Sequence, residues 1–168
     1  MNSMIRLSFV YCVLFVFTSC GIYSFSGASI DPAVKTVSVQ QFPNKAAIVM
    51  PSLSQLFSDA LRDKITSATN LSLTDKNADA QFTGAITAYN ISFAAPTGNE
   101  TAALNRLTIT VQVSYKAKGE TPTEWTTSFS RFANYDSNVQ LSSVEEALIE
   151  EINEQLVTDI FNKAFIDW

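Results

Sequence analysis

The chain has 168 residues, 46% of them hydrophobic, with 16 acidic against 11 basic side chains and a net charge of −5. It contains no histidine, which removes the commonest general base and zinc ligand, and with them Ser-His-Asp and Cys-His catalysis. An acidic balance also disfavours nucleic acid, whose affinity comes from neutralising phosphates with Lys and Arg.

Met1 to Arg6 carries a positive charge, Leu7 to Phe17 is an almost unbroken apolar run, and Thr18-Ser19 are small residues just before Cys20. That is the order of a secretory signal: charged start, short apolar core, small-residue cleavage site. The run is too short to span a bilayer, which takes about 20 apolar residues. A small pair followed at once by cysteine is the bacterial lipoprotein version of the site. Residues 1–19 therefore read as a lipoprotein signal peptide, with Cys20 acylated as the new N-terminus. Each buried acyl CH₂ contributes about 0.8 kcal/mol, so several chains anchor firmly where one holds only marginally. The other cysteine, Cys12, falls in the leader, so no disulfide is expected within one mature chain.

Gly21 to Ser29 is small and polar with two aromatics, and residues 20–30 read as the acylated N-terminus and tether to one domain over 31–168. Val34 to Phe42 is rich in β-branched residues and predicts a strand, ended by Pro43-Asn44. Leu53, Leu56, Phe57, Ala60, Leu61 and Ile65 recur at helical spacing, with Pro51 near the start. Leu71 to Thr74 is a short extended piece. Phe82 to Phe93 predicts a second long strand. Its apolar positions switch from even (Phe82, Ile86, Ala88) to odd (Tyr89, Ile91, Phe93), which implies a bulge or bend. A loop follows over Ala95 to Thr101.

The clearest strand comes next. Leu107, Ile109, Val111, Val113, Tyr115 and Ala117 alternate strictly with Arg106, Thr108, Thr110, Gln112, Ser114 and Lys116, so one face is buried and the other wet. After a turn at Gly119 to Pro122, Glu124 to Phe132 predicts its hairpin partner, with Trp125, Thr127 and Phe129 on one side. The final helix carries the apolar stripe Leu148, Ile149, Ile152, Leu156, Ile160, Phe161 and Ala164. Ser142 and Ser143, three residues before Glu145 and Glu146, offer capping boxes at its start, and Trp168 is expected to cap its end against the sheet.

The expected architecture is α+β: a two-layer sandwich with a four-stranded, mostly antiparallel sheet and two helices on one face, in the order β-α-β-β-β-α. The other sheet face stays open and is built of Thr, Ser and Gln with a few bases.

The runs Cys20 to Gly27 (CGIYSFSG), Val37 to Gln40 with Phe42-Pro43-Asn44, and Leu53-Ser54-Gln55 to Leu61-Arg62-Asp63-Lys64 are followed by Asn105 to Val111 (NRLTITV), Phe129 to Ala133 (FSRFA), and Glu151-Ile152-Asn153 to Asp159-Ile160-Phe161-Asn162. In their order and spacing these resemble the LPS-assembly lipoprotein (LptE) family in its Bacteroidota form. The resemblance covers nearly the whole mature chain. It implies a small α/β sandwich anchored to the inner leaflet of the outer membrane. There it plugs a large β-barrel partner, helps that barrel assemble, binds the lipid A region and helps deliver lipopolysaccharide to the cell surface. It implies no enzyme, cofactor or metal. Gly21 to Ser29 contains no acid, so the acidic tag that sends some Bacteroidota lipoproteins outward is missing, which favours a periplasm-facing protein.

The polar positions of the Arg106 to Lys118 strand would suit a barrel lumen, which is polar; half-buried sheets also look this way without any partner. Lipid A phosphates would need Lys or Arg. Arg106, Lys116, Lys118 and Arg131 are the lipopolysaccharide-binding candidates, with Arg62 and Lys64 on the first helix, although ordinary surface charge is the commoner reading of any one such base. Bases this sparse imply contact at one patch. Of Trp125, Phe129 and Phe132, two are expected in the core. The sequons at Asn70, Asn90 and Asn99 are coincidental in a bacterial lipoprotein, and the acid pairs Glu145/Glu146 and Glu150/Glu151 read as a solvated helix face. The alternative to the barrel plug is a free-standing, periplasm-facing lipid- or glycan-binding lipoprotein.

Overall fold

The computed structural model describes residues 30–48, 50–94 and 103–166. The leader, Cys20, the tether through Ser29, the loop at 95–102 with its sequon at Asn99, and Trp168 lie outside the described residues.

The elements in chain order are β1 (Thr36–Val39), α1 (Leu53–Ala68), β2 (Ser72–Leu73), β3 (Ala80–Ala94), β4 (Leu104–Ala117), β5 (Thr123–Asp136), a single 3₁₀ turn at Leu141–Ser143, and α2 (Glu145–Phe165). They form one mixed sheet in the order β2-β1-β3-β4-β5. The expected two helices and mostly antiparallel pairing stand, and the expected count of four strands is corrected to five. The Leu71 to Thr74 piece supplies a fifth strand at the edge, and β1 runs parallel to both β2 and β3. The reason is topological: a helix separates β1 from β2, and a crossover of that kind returns the chain in the same direction. β2 pairs through only Ser72 and Leu73, both exposed, so it carries no alternation to read.

β3, β4 and β5 are long antiparallel partners. β4 and β5 keep one register from Leu104↔Asp136 to Ala117↔Thr123. Between β3 and β4 the register slips between Ile86 and Ala88. One extra residue at that point moves the inward set from Phe82 and Ile86 to Tyr89, which is how the strand stays buried across its phase switch.

The odd-numbered residues of β4 meet both helices in a single core. α1 contributes Leu53, Phe57, Leu61 and Ile65, and α2 contributes Ile149, Ile152, Leu156 and Ile160. Each large side chain fully buried in this way is worth about 1.5–3 kcal/mol of transfer free energy. Trp125 and Phe129 pack against this core and Phe132 does not. One hydroxyl is admitted. Ser58, wholly buried, donates to the Ser54 carbonyl (2.7 Å) and accepts from Phe42 N–H (3.0 Å), so α1 satisfies the backbone just after β1.

The capping boxes expected at Ser142 and Ser143 do not form. α2 starts at Glu145 with Val144 at its N-cap and no side-chain cap. The Ser143 hydroxyl is occupied with the Gln140 carbonyl at 2.7 Å, inside the 3₁₀ turn. Glu145 instead accepts from the Tyr89 hydroxyl at 2.5 Å, pinning the helix start to β3. Burial, and then the Glu145 contact, hold the Tyr89 phenol well above its ordinary pKa.

Candidate functional site

Because partners across an antiparallel ladder share a face, the register fixes the composition of the uncovered side. β3 presents Gln81, Thr83, Ala85, Ala88, Asn90 and Ser92. β4 sets Lys116, Ser114, Gln112, Thr110, Thr108 and Arg106 beside them, and β5 adds Glu124, Thr126, Ser128, Ser130, Phe132 and Asn134. Hydroxyls pair across the strands: Thr110 with Ser130 at 3.0 Å, and Ser114 with Thr126 at 2.8 Å. The face is hydrogen-bonding and nearly uncharged.

Its one composite feature sits toward the Leu104 end. The Arg106 guanidinium carbon lies 3.7 Å from the centre of the Phe132 ring, and its Nε donates to Asn134 Oδ1 at 2.9 Å. Phe132, 46% exposed and outside the core that Trp125 and Phe129 join, serves as a platform beneath the guanidinium. One edge of the arginine is held by Asn134, while no described acid forms an ion pair with it. Such a head group can take a phosphate or sugar oxygen.

The candidate bases do not gather into one patch. Lys116 shares the open face but lies ten residues along β4, roughly 33 Å away, and forms an ion pair with Glu124 at 3.2 Å. Lys118 stands just past β4, where its N–H donates to the Asp79 carbonyl at 2.8 Å. Arg131 is on the helix side: it grips Asp159 of α2 through Nε (2.5 Å) and a terminal nitrogen (2.8 Å). That carboxylate raises the Arg131 pKa further. Arg62 is committed to the Val39 carbonyl and to Asp59 (2.7 Å), and Lys64 points over the Phe161 ring at 5.7 Å. Strand parity and helix packing thus distribute these charges over both sides of the sheet, and of the candidates only Arg106 stands on the open face without an ion-pair partner among the described acids.

Reading the sequence missed Asn134 as the partner of Arg106. The signal was the even parity it shares with Phe132, visible only once β4 and β5 are set in register. Among the described residues, no group of three or more acidic or cysteine side chains is placed to hold a metal, and no helix is long and apolar enough to cross a membrane.

At the far end of the sheet, Asp31 fastens the incoming chain beside the β4–β5 turn. Its Oδ2 accepts from Glu120 N–H at 2.7 Å and its Oδ1 from Ala33 N–H at 2.8 Å. The described chain thus begins at the end opposite the Arg106–Phe132 pair, which lies most of the length of β4 away.

The family model described as LptE, lipopolysaccharide-assembly, matches residues 34–164. Among solved structures, the chain is similar to the hypothetical protein CT253 from Chlamydia trachomatis, with 11% identity, a TM-score of 0.53, and coverage of 78% of this chain and 95% of that one. It is also similar to uncharacterized lipoprotein B from Nitrosomonas europaea, with 12% identity, a TM-score of 0.51, and coverage of 88% and 90%. Protein XCC0632 from Xanthomonas campestris is a third, with 11% identity, a TM-score of 0.51, and coverage of 83% and 90%. At such identities the likeness speaks for the fold alone. No curated protein matches the chain.

Proposed function

This chain belongs to the LptE, or lipopolysaccharide-assembly, family, and on that footing we propose that it is a periplasm-facing outer-membrane lipoprotein, lipidated at Cys20, that plugs the lipopolysaccharide-exporting β-barrel and assists its assembly. The observation that carries the reading is the uncovered sheet face. Three long strands expose hydroxyls and amides with almost no net charge, the surface that a polar barrel lumen can pair with. The role is non-enzymatic: the protein acts by shape and hydrogen bonding.

Within that reading, Arg106 is the residue that meets lipid A phosphate. A guanidinium makes two-pronged contacts with phosphate, and stacking on Phe132 reduces the freedom it loses on binding. Lys116, near the far end of β4, and Lys118, just past it, add charge at a distance. Arg131 contributes through Asp159 to the body of the domain.

Co-purification from outer membranes tests the plug. The chain should come down with a large barrel, and depleting it should lower the amount of folded barrel. A chain that stays monomeric in detergent, with normal barrel levels after depletion, would sink the plug. If that monomer still bound lipopolysaccharide through Arg106, a free-standing lipid-binding lipoprotein would replace it.

A further inference from the structure

A second concave surface lies on the helix side of the molecule. Where α1 and α2 run side by side they leave a groove of about 770 Å³. Its walls carry Asp63, Glu146, Glu150 and Glu154, none of which forms an ion pair among the described residues. The basic side chain beside them, Lys64, is turned over Phe161, and Asp59 is occupied by Arg62. The groove is therefore strongly negative.

Its floor is formed by Ala60, Ile149, Val157 and Asn153. Asn153 is the anomaly. It sits in the apolar stripe of α2, only 4% exposed, and its Oδ1 has no hydrogen-bond partner. A buried amide oxygen left without a donor is costly, and each native case asks for an explanation. Packing alone would favour Leu or Ile here, as at neighbouring positions of the stripe.

We infer that this groove binds a Lys- or Arg-bearing polypeptide segment of a partner protein. The carboxylates attract the cationic heads, and the apolar floor receives their aliphatic stems. The unpaired Asn153 oxygen is closed off as the side chain stands, and turning the amide toward the groove it lines would give a peptide group both an acceptor and a donor. A polyamine brings cations but no carbonyl to take up the donor. A metal ion lacks a converging ligand set among the described residues. The groove is separate from the open sheet face, and its occupancy does not depend on what that face binds.

The test uses the full chain in detergent, titrated with a fluorescein-labelled peptide repeating Lys-Leu-Arg-Ala, with hydrogen exchange locating the contact. The peptide should bind, protect α1 and α2 along the groove, and lose about tenfold in affinity with Asn153→Leu and with paired Glu150→Gln and Glu154→Gln. Asn153→Leu removes an unsatisfied amide while keeping the volume, so its thermal midpoint should not fall. The paired Gln variants, on the surface, keep the test decisive if it does. Protection elsewhere, or full affinity in both variants, overturns the inference. Equal binding of spermine that ignores Asn153→Leu overturns it too, in favour of a small polycation.

Discussion

Arg131 on β5 and Asp159 on α2 form a two-pronged ion pair, with N–O distances of 2.5 and 2.8 Å, across 28 residues of sequence. The pair fastens the outermost strand of the sheet to the helix that covers it. It also takes Arg131 away from the side of the sheet on which Arg106 stands.

Charge reversal at Arg131 should accordingly lower stability and spare ligand binding. Arg131→Asp should reduce the thermal midpoint modestly, since both groups are partly solvated and such pairs are screened. Combining it with Asp159→Arg should restore most of the loss. A double variant no more stable than the single one would show that the pair does not fasten β5.

Arg106 should behave in the opposite way. Arg106→Glu is expected to weaken lipopolysaccharide binding by roughly tenfold to a hundredfold, the range for a lost charge-assisted hydrogen bond, with an unchanged melting curve. Phe132→Leu should weaken it less, because an exposed cation–π contact contributes about 0.5–1 kcal/mol. Surface plasmon resonance on immobilised lipopolysaccharide measures both. Equal affinity for wild type and Arg106→Glu would remove the open face as the lipid contact.

Gly84 is required by a close approach. A Cβ there would collide with the Gln112 carbonyl oxygen and stand 2.6 Å from the Phe42 ring. Gly84→Ala should thus push β3 away from β4 and cost about 1–3 kcal/mol, the usual range for overpacking. Denaturant unfolding reads this directly, and an unshifted midpoint would mean that the strands yield without strain.

Acid should loosen the start of β1. Asp79 accepts from the Thr36 hydroxyl at 2.7 Å and from the Thr36 and Lys35 N–H groups at 3.0 and 3.1 Å. The hydroxyl bond first, then the two backbone bonds, lower its pKa. A carboxylate with a depressed folded pKa adds stability that is complete above its unfolded value and is lost as pH falls through the folded one. The loss therefore begins near the unfolded value, roughly pH 4, and grows below it. Asp79→Asn should be less stable at neutral pH and flatter on the acid side. An acid limb identical to wild type would assign the sensitivity to other carboxylates.

Much of this was legible from residue order. The strict alternation of Leu107 to Ala117 announced which face of β4 is wet, and the phase change between Ile86 and Tyr89 announced the bulge, because burial imposes a period of two on any half-covered strand. The three- and four-residue recurrence from Leu53 to Ile65, and again from Leu148 to Ala164, announced both helices for the corresponding reason.

Periodicity assigns a side chain to a face, and it is silent about the neighbour found there. Ser72–Leu73 became a strand only because β1 left an edge for it, and the Ser143 hydroxyl turned to Gln140 once the chain entered a 3₁₀ turn. Arg106 met Phe132 and Asn134 through the β4–β5 register, while Arg131, one residue from Phe132, was carried by parity to α2. Asn153 has no place in the apolar recurrence of α2, and the lie of α1 against α2 made it part of the lining of an acidic groove. Local chemistry along the chain set the elements and their faces. Contacts between residues far apart in sequence, which only packing brings within a few ångströms, decided which charges are free to act.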